Sequence, residues 1–265
     1  MSWIQVIVLA IVQGLTEVLP ISSSGHLVLV PSIFGWSDQG LVFDVAVHFG
    51  SLGAVCIYFR NDIAGLLRGA FNFAARRPET PESRMALAIA VGTVPAAVAG
   101  LLFAGWISEN LRDPAVVVVT LSGYGILLAL ADWYGKRRRN ITDVRLRDAL
   151  VIGFAQALSL VPGTSRSGVT ISAGLILGFQ RRDAARFSFL LSAPVILLAT
   201  AYEVLLLIIE GGGVAWSTLA VAAAISCLVA YTSIEFFMRF VNAIGLLPFA
   251  IYRLLLAAAI AVLLL

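Results

Sequence analysis

Leu19-Pro20-Ile21-Ser22-Ser23-Ser24-Gly25 cuts through an otherwise apolar run at residues 3–34, and Pro162-Gly163-Thr164-Ser165-Arg166-Ser167-Gly168 cuts through another at 149–179. Pro and Gly break helices, and the serine hydroxyls offer partners to the freed backbone groups. Each flanking half is too short to cross a bilayer, which takes about 20 mostly apolar residues. Broken backbone at membrane depth is tolerated only where protein buries it or it lines a wet cavity. Each region therefore reads as a re-entrant helical hairpin.

The rest of the chain supports a membrane setting. Of 265 residues, 60% are hydrophobic and 12% charged, with a mean hydropathy of +0.97; a soluble domain carries roughly 25% charged residues. Six uninterrupted stretches are long enough to span, at approximately 41–59, 85–106, 114–133, 185–209, 214–238 and 246–265. No long polar linker separates them, so residues 1–265 read as a single membrane domain. Met1 to Pro20 lacks the basic segment of a signal peptide and is read as part of the mature fold. The net charge of +3 gives no reason to infer a nucleic-acid partner. Cys56 and Cys227 sit in apolar stretches without metal spacing and read as small core residues.

The basic residues matter through placement. Loops 60–84 and 134–148 carry five and six Lys or Arg; three more lie near 180–186, and Arg239 adds one. Loops 107–113 and 210–213 hold only Arg112. Positive charge marks cytoplasmic loops, so the first hairpin enters from the outer face and the second from the inner face. Both termini are then outside, and the hairpin tips can meet inside the bilayer. Trp3, Trp36, Trp106, Trp133 and Trp216 fall near the expected interfaces, as an aromatic belt does.

The two breaks also match each other. Gln13-Gly-Leu-Thr-Glu-Val-Leu-Pro-Ile-Ser-Ser-Ser-Gly25 aligns without gaps to Gln156-Ala-Leu-Ser-Leu-Val-Pro-Gly-Thr-Ser-Arg-Ser-Gly168, with six of thirteen positions identical. Each is followed by three full spans. A hairpin plus three spans is an odd number of crossings, so the second unit, approximately 149–265, is expected to be inverted relative to the first, approximately 1–133. The expected fold is an all-α polytopic membrane protein: six transmembrane helices plus two re-entrant helical hairpins arranged as inverted repeats. Binding sites in such folds lie near the midplane, where broken helices meet.

Ionisable groups inside a bilayer are functional candidates, and the breaks supply Glu17, His26 and Arg166. Ser22, Ser23, Ser24, Thr164, Ser165 and Ser167 lie at or near the start of a half-helix. Free N–H groups and the positive dipole end there suit phosphate, and the Arg166 guanidinium can grip two phosphate oxygens. Gln13 and Glu17, four residues apart, share a helix face able to present oxygen ligands to a divalent cation. His26 is a candidate base, acid or nucleophile. Against this, Pro-Gly-Thr-Ser-Arg-Ser-Gly also reads as an ordinary capped helix start, and single serines often only bond the backbone. His48, four residues after Asp44, stands between site periphery and packing. Asp132, Glu203, Glu210 and Glu235 read as structural, and Arg253 as a partner for an unspecified carboxylate.

The segment 13–26, ending Ser22-Ser-Ser-Gly-His26, resembles the first signature of bacterial undecaprenyl-diphosphate phosphatases of the bacitracin-resistance type. Pro162-Gly-Thr-Ser-Arg-Ser-Gly-Val-Thr170 resembles their second, and Leu247-Pro-Phe-Ala-Ile-Tyr-Arg253 their closing segment. The resemblance covers essentially the whole chain. It implies hydrolysis of undecaprenyl diphosphate to undecaprenyl phosphate and inorganic phosphate, which recycles the lipid carrier for cell-wall synthesis and confers bacitracin resistance. It implies a divalent cation, Mg²⁺ or Ca²⁺, and a site in the bacterial inner membrane open to the periplasm. The family's functional positions fall on Gln13, Glu17, Ser22, Ser23, His26 and Arg166. Many members have Glu where this chain has Gln13, so a two-carboxylate metal site is in doubt and cation binding rests more on Glu17 and substrate phosphates.

The resulting expectation is that Arg166 and the half-helix N-termini hold a polyprenyl diphosphate, with its tail toward membrane lipids. Ser23 activated by His26 attacks, or water activated by His26 or Glu17 does. The competing class is transport: inverted repeats and broken helices also build carriers, here one flipping undecaprenyl phosphate with or without hydrolysis. Homodimerisation is left open.

Overall fold

A computed structural model describes residues 1–37, 40–111, 113–210 and 216–265. Arg112, residues 211–213 of the second expected outer loop, and the side chain of Glu210 lie outside the described set. Among the described residues the regular structure is all-helical apart from one isolated bridge, between Arg139 and Phe179. The first half runs α1 (Trp3–Val18), α2 (Ser23–Phe34), α3 (Leu41–Tyr58), α4 (Arg60–Ala74), α5 (Pro81–Asn110) and α6 (Pro114–Tyr134). The second runs α7 (Leu146–Leu158), α8 (Arg166–Ile176), α9 (Arg181–Glu210), α10 (Trp216–Ile244) and α11 (Leu247–Leu264). Among the described residues, α5, α6, α9, α10 and α11 are each long and apolar enough to cross a membrane, and α3 with α4 counts as a sixth only as a bent pair.

Helix ends follow local chemistry. Ser2 and Gln5 form a reciprocal capping box on α1, and Thr80 and Ser83 form one on α5. Pro81 and Pro114 stand in the first turns of α5 and α6, where a missing N–H costs nothing. The expected breaks are present: α1 stops before Leu19-Pro20 and α7 before Ser159.

One expectation needs correction. Residues 60–84, read as a loop, contain α4, a 15-residue helix bent 86° from α3 at Phe59. It mixes exposed Leu67, Phe71 and Phe73 with Arg60 and Arg68. A short amphipathic helix of this kind suits a membrane interface and falls below a search for 20-residue spans. Gly69 lets it press on α5: a Cβ there would stand 2.3 Å from the Glu82 carbonyl oxygen.

Small residues draw the long helices together, as they do in membranes. A Cβ on Gly50 of α3 would lie 2.2 Å from the Ala223 oxygen of α10, and one on Gly14 of α1 2.6 Å from the Ser226 oxygen. On the other side, Gly153 of α7 meets Gly92 of α5 in the same way, at 2.4 Å. Thus α1 packs on α10 and α7 on α5, while α3 meets α9 and α6 meets α11. The main apolar cluster fills the space between these helices around Phe59, Phe187, Phe189 and Phe237. Cys56 and Cys227 are half-buried rather than core.

Ion pairs tie the helix ends near the basic loops. Asp132 receives a fork of bonds from Arg181, at 2.5 and 2.9 Å, and accepts the Leu246 N–H at 3.0 Å, joining α6, α9 and α11. That agrees with its structural reading. Arg139 grips Asp148 at 2.5 and 3.1 Å and stacks over Phe179.

Candidate functional site

The two breaks meet. Ser24 Oγ accepts the Gly163 N–H at 3.0 Å, and Ser167 Oγ donates to the Leu19 carbonyl at 3.0 Å. The breaks are also built alike. Ser22 and Ser165, aligned in the repeat, both have positive φ, 75° and 66°. Each hydroxyl accepts the N–H three residues on, from Gly25 at 3.5 Å and Gly168 at 3.2 Å. Non-glycine residues so placed cost about 1–3 kcal/mol, about as much as or more than the ~1 kcal/mol a cap returns. The surrounding contacts must therefore hold this shape, and such strain gathers at functional sites.

Between the breaks lies a cavity of about 350 Å³. Glu17, 9% exposed, is its hub. Its Oε1 accepts from Arg166 Nη2 at 2.9 Å; its Oε2 accepts from Ser23 Oγ at 2.8 Å and Gln13 Nε2 at 3.1 Å. Among the described residues, Arg166 Nη1 and Gln13 Oε1 are buried beside Glu17 without a hydrogen-bond partner. Ser22, Ser24 and Ser165 also line the cavity. Val45 of α3 and Val195, Ile196 and Ala199 of α9 form its apolar wall.

Four expected site residues lie off the cavity lining, among them Gln13, which is fully buried and bonds to the lining residue Glu17. Thr164 and Ser167 do not line the cavity: Thr164 is fully buried and Ser167 is spent on the Leu19 carbonyl. His26 also lies off the cavity lining. Its Nδ1 is 2.7 Å from the Ser22 carbonyl and its Nε2 2.7 Å from Tyr252 Oη, with the two rings stacked. The imidazole that does line the cavity is His48, with Nδ1 2.7 Å from the Asp44 carbonyl and Nε2 3.6 Å from Glu17 Oε2. Its spacing from Asp44 was the available signal. Glu203, read as structural, lines the cavity as well.

Arg253 corrects a further expectation, since its bonds go to backbone carbonyls rather than to a carboxylate. Fully buried, it donates through Nη2 to Gly163 O at 3.0 Å and Thr164 O at 2.9 Å, and through Nε to Leu121 O at 3.3 Å. Burying a cation costs several kcal/mol. Bonds from charged donors return about 1.5–3 kcal/mol each, so three offset that cost. Thr120 Oγ1 adds a 2.6 Å bond to Pro162 O.

The family described as "Bacitracin resistance protein BacA" matches residues 6–259. The chain is 50% identical over 266 residues to "Undecaprenyl-diphosphatase 2" of Stutzerimonas stutzeri, covering 99% of this chain and 98% of that protein. It is 52% identical over 258 residues to "Undecaprenyl-diphosphatase" of Nitrosococcus oceani, covering 97% of each. The protein of the same name from Hahella chejuensis is 50% identical over 262 residues, at 99% and 98% coverage. A break-to-break cavity with both signatures at its walls, together with matches of this extent, places the chain in the BacA family of bacitracin resistance proteins.

Proposed function

We propose that the cavity hydrolyses undecaprenyl diphosphate, on the strength of one observation above others: Ser23, Glu17 and Arg166 converge where two helices begin. The protein is an undecaprenyl-diphosphate phosphatase of the bacterial inner membrane, crossing it several times. Arg166, with Nη1 still open, and the N–H groups opening α2 and α8 suit the phosphates. The wall of Val45, Val195, Ile196 and Ala199 suits the start of the prenyl tail.

Ser23 is the nucleophile in this reading. Its Oγ bonds the terminal phosphorus while its proton passes along the hydrogen bond to Glu17. The bridging P–O bond breaks and undecaprenyl phosphate leaves with the electron pair. Water then attacks the phosphoserine and releases inorganic phosphate. Such transfers depend mainly on positioning and charge stabilisation. His26, bonded to Tyr252, is a support for the Ser22 carbonyl rather than the base. Gln13 Oε1, buried beside Glu17 without a partner among the described residues, fits an oxygen ligand for a hard divalent cation. Gln13 and Glu17 would hold Mg²⁺ or Ca²⁺, which would neutralise phosphate charge.

The same reading takes the helix pairs α1–α2 and α7–α8 as re-entrant hairpins, and the two halves of one membrane domain as inverted repeats. The matched caps and the exchanged packing, α1 on α10 and α7 on α5, support it. The charge of the 60–84 and 134–148 loops supports a cavity open to the outer face. That symmetry also favours a carrier that flips undecaprenyl phosphate. Phosphate release from purified protein with Mg²⁺ or chelator separates the two. Metal-dependent release lost in Glu17→Ala and Ser23→Ala supports the phosphatase; no release from folded wild type favours the carrier, and a fully active Ser23→Ala removes the serine step.

A further inference from the structure

Tyr252 and Arg253 are consecutive on α11, and each holds one break from behind. We infer that this pair sets the direction of the N–H groups that face the phosphate, and so acts as a positioning element for turnover; the inference rests on the phosphatase reading above.

The argument starts from the peptide bond. All peptides here are trans, and in a trans peptide the carbonyl and the following N–H point opposite ways. Arg253 Nη2 draws the Thr164 carbonyl toward itself at 2.9 Å, so the Ser165 N–H is turned away from Arg253. Ser165 lines the cavity. The Gly163 and Thr164 N–H groups are already taken, by Ser24 Oγ at 3.0 Å and the Val161 carbonyl at 3.2 Å, so the Ser165 N–H is the donor of this turn that Arg253 directs. Arg253 also adds charge behind the α8 N-terminus: its Nη1 lies 2.9 Å from where a Cβ on Gly168 would stand.

Tyr252 acts on the other break through His26. The His26 Nδ1–H donates to the Ser22 carbonyl at 2.7 Å, which leaves Nε2 to accept the Tyr252 hydroxyl at 2.7 Å. With the Ser22 carbonyl held toward His26, the Ser23 N–H is turned to the opposite side. Ser23 is the residue whose Oγ meets Glu17. One helix thus sets the peptide planes of both phosphate-facing turns.

Phosphate release from undecaprenyl diphosphate by purified full-length wild type, Arg253→Lys and Tyr252→Phe tests this, with melting temperature and monodispersity measured alongside. Lysine keeps the charge but cannot hold the same two carbonyls in a planar fork; phenylalanine keeps the stack and loses only the hydroxyl. The expected result is a fall in kcat of about 10- to 100-fold for Arg253→Lys and about fivefold for Tyr252→Phe, as for misaligned transition-state donors, with KM nearly unchanged. A purely structural role would lower the folded fraction and leave kcat per folded molecule intact. Folded variants with kcat within about twofold of wild type, or with a change in KM alone, overturn the inference. If Arg253→Lys does not fold, Tyr252→Phe decides by the same criterion. A folded wild type that releases no phosphate removes the phosphatase reading instead, and this inference with it.

Discussion

Glu17 shows what a single residue decides in this site. Its two oxygens are shared among Arg166, Ser23 and Gln13, so it orients the guanidinium and the hydroxyl together. Arg166→Ala leaves that buried carboxylate without its cation and removes the phosphate grip. The expected loss in kcat/KM is about 10²–10³-fold, measured by phosphate release; a loss below about tenfold would place the phosphates elsewhere. Glu17, Ser23 and Arg166 were legible in the sequence because each is a costly or reactive group beside a helix break. The sequence favoured His26 over His48 because His26 adjoins the serine cluster, whereas His48 is the one that lines the cavity. Both Nδ1 atoms lie near the carbonyl four residues back, a purely local feature. What distinguishes them is the opposite nitrogen, which meets Tyr252 in His26 and the cavity in His48, and that is decided by helices distant in sequence.

At the scale of elements, α9 forms most of the apolar wall through Val195, Ile196 and Ala199. Ala199→Phe places a large ring where the prenyl chain should pass. KM for undecaprenyl diphosphate should rise about tenfold, the order expected for 1–3 kcal/mol of lost apolar contact, with kcat little changed. An unchanged KM would move the tail path away from α9. The N-terminal end of α7 carries a pH-dependent tie. Burial alone would raise the Asp148 pKa, but the hydrogen bonds from Arg139 and the Arg145 N–H, with the charges of both arginines, together outweigh it and hold the carboxyl below its usual value. A depressed folded-state pKa stabilises the fold above the ordinary Asp value of about 3.9, and that contribution is lost as pH falls through the folded value. Thermal unfolding in detergent should show Asp148→Asn destabilised at pH 7, with the gap closing as pH falls below the ordinary Asp range and through the depressed folded-state value; a gap that persists would remove the ion pair as its cause. The long helices were legible as hydrophobic stretches. Helix α4 was not, because an amphipathic segment at an interface has too little apolar length to register as a span.

At the scale of the whole molecule, orientation is the proposal most open to direct test. In a background with Cys56→Ala and Cys227→Ala, a cysteine at Arg77 should react with a membrane-impermeant maleimide only after permeabilisation. One at Asp113 should react in intact spheroplasts. The reverse pattern would turn the site toward the cytoplasm. The aligned serine-rich breaks, the apolar spans and the skewed loop charge are determined by the sequence itself, because the bilayer imposes length, polarity and charge rules on local segments. The same local rules mark Ser22 and Ser165 as helix starts. Only the tertiary structure decides that Ser24 reaches Gly163, that Arg253 holds the second break by its carbonyls, and that His48 rather than His26 faces the cavity. Those contacts join residues dozens to more than two hundred positions apart, or turn on which side of a helix meets its neighbour, and small-residue packing between helices sets both.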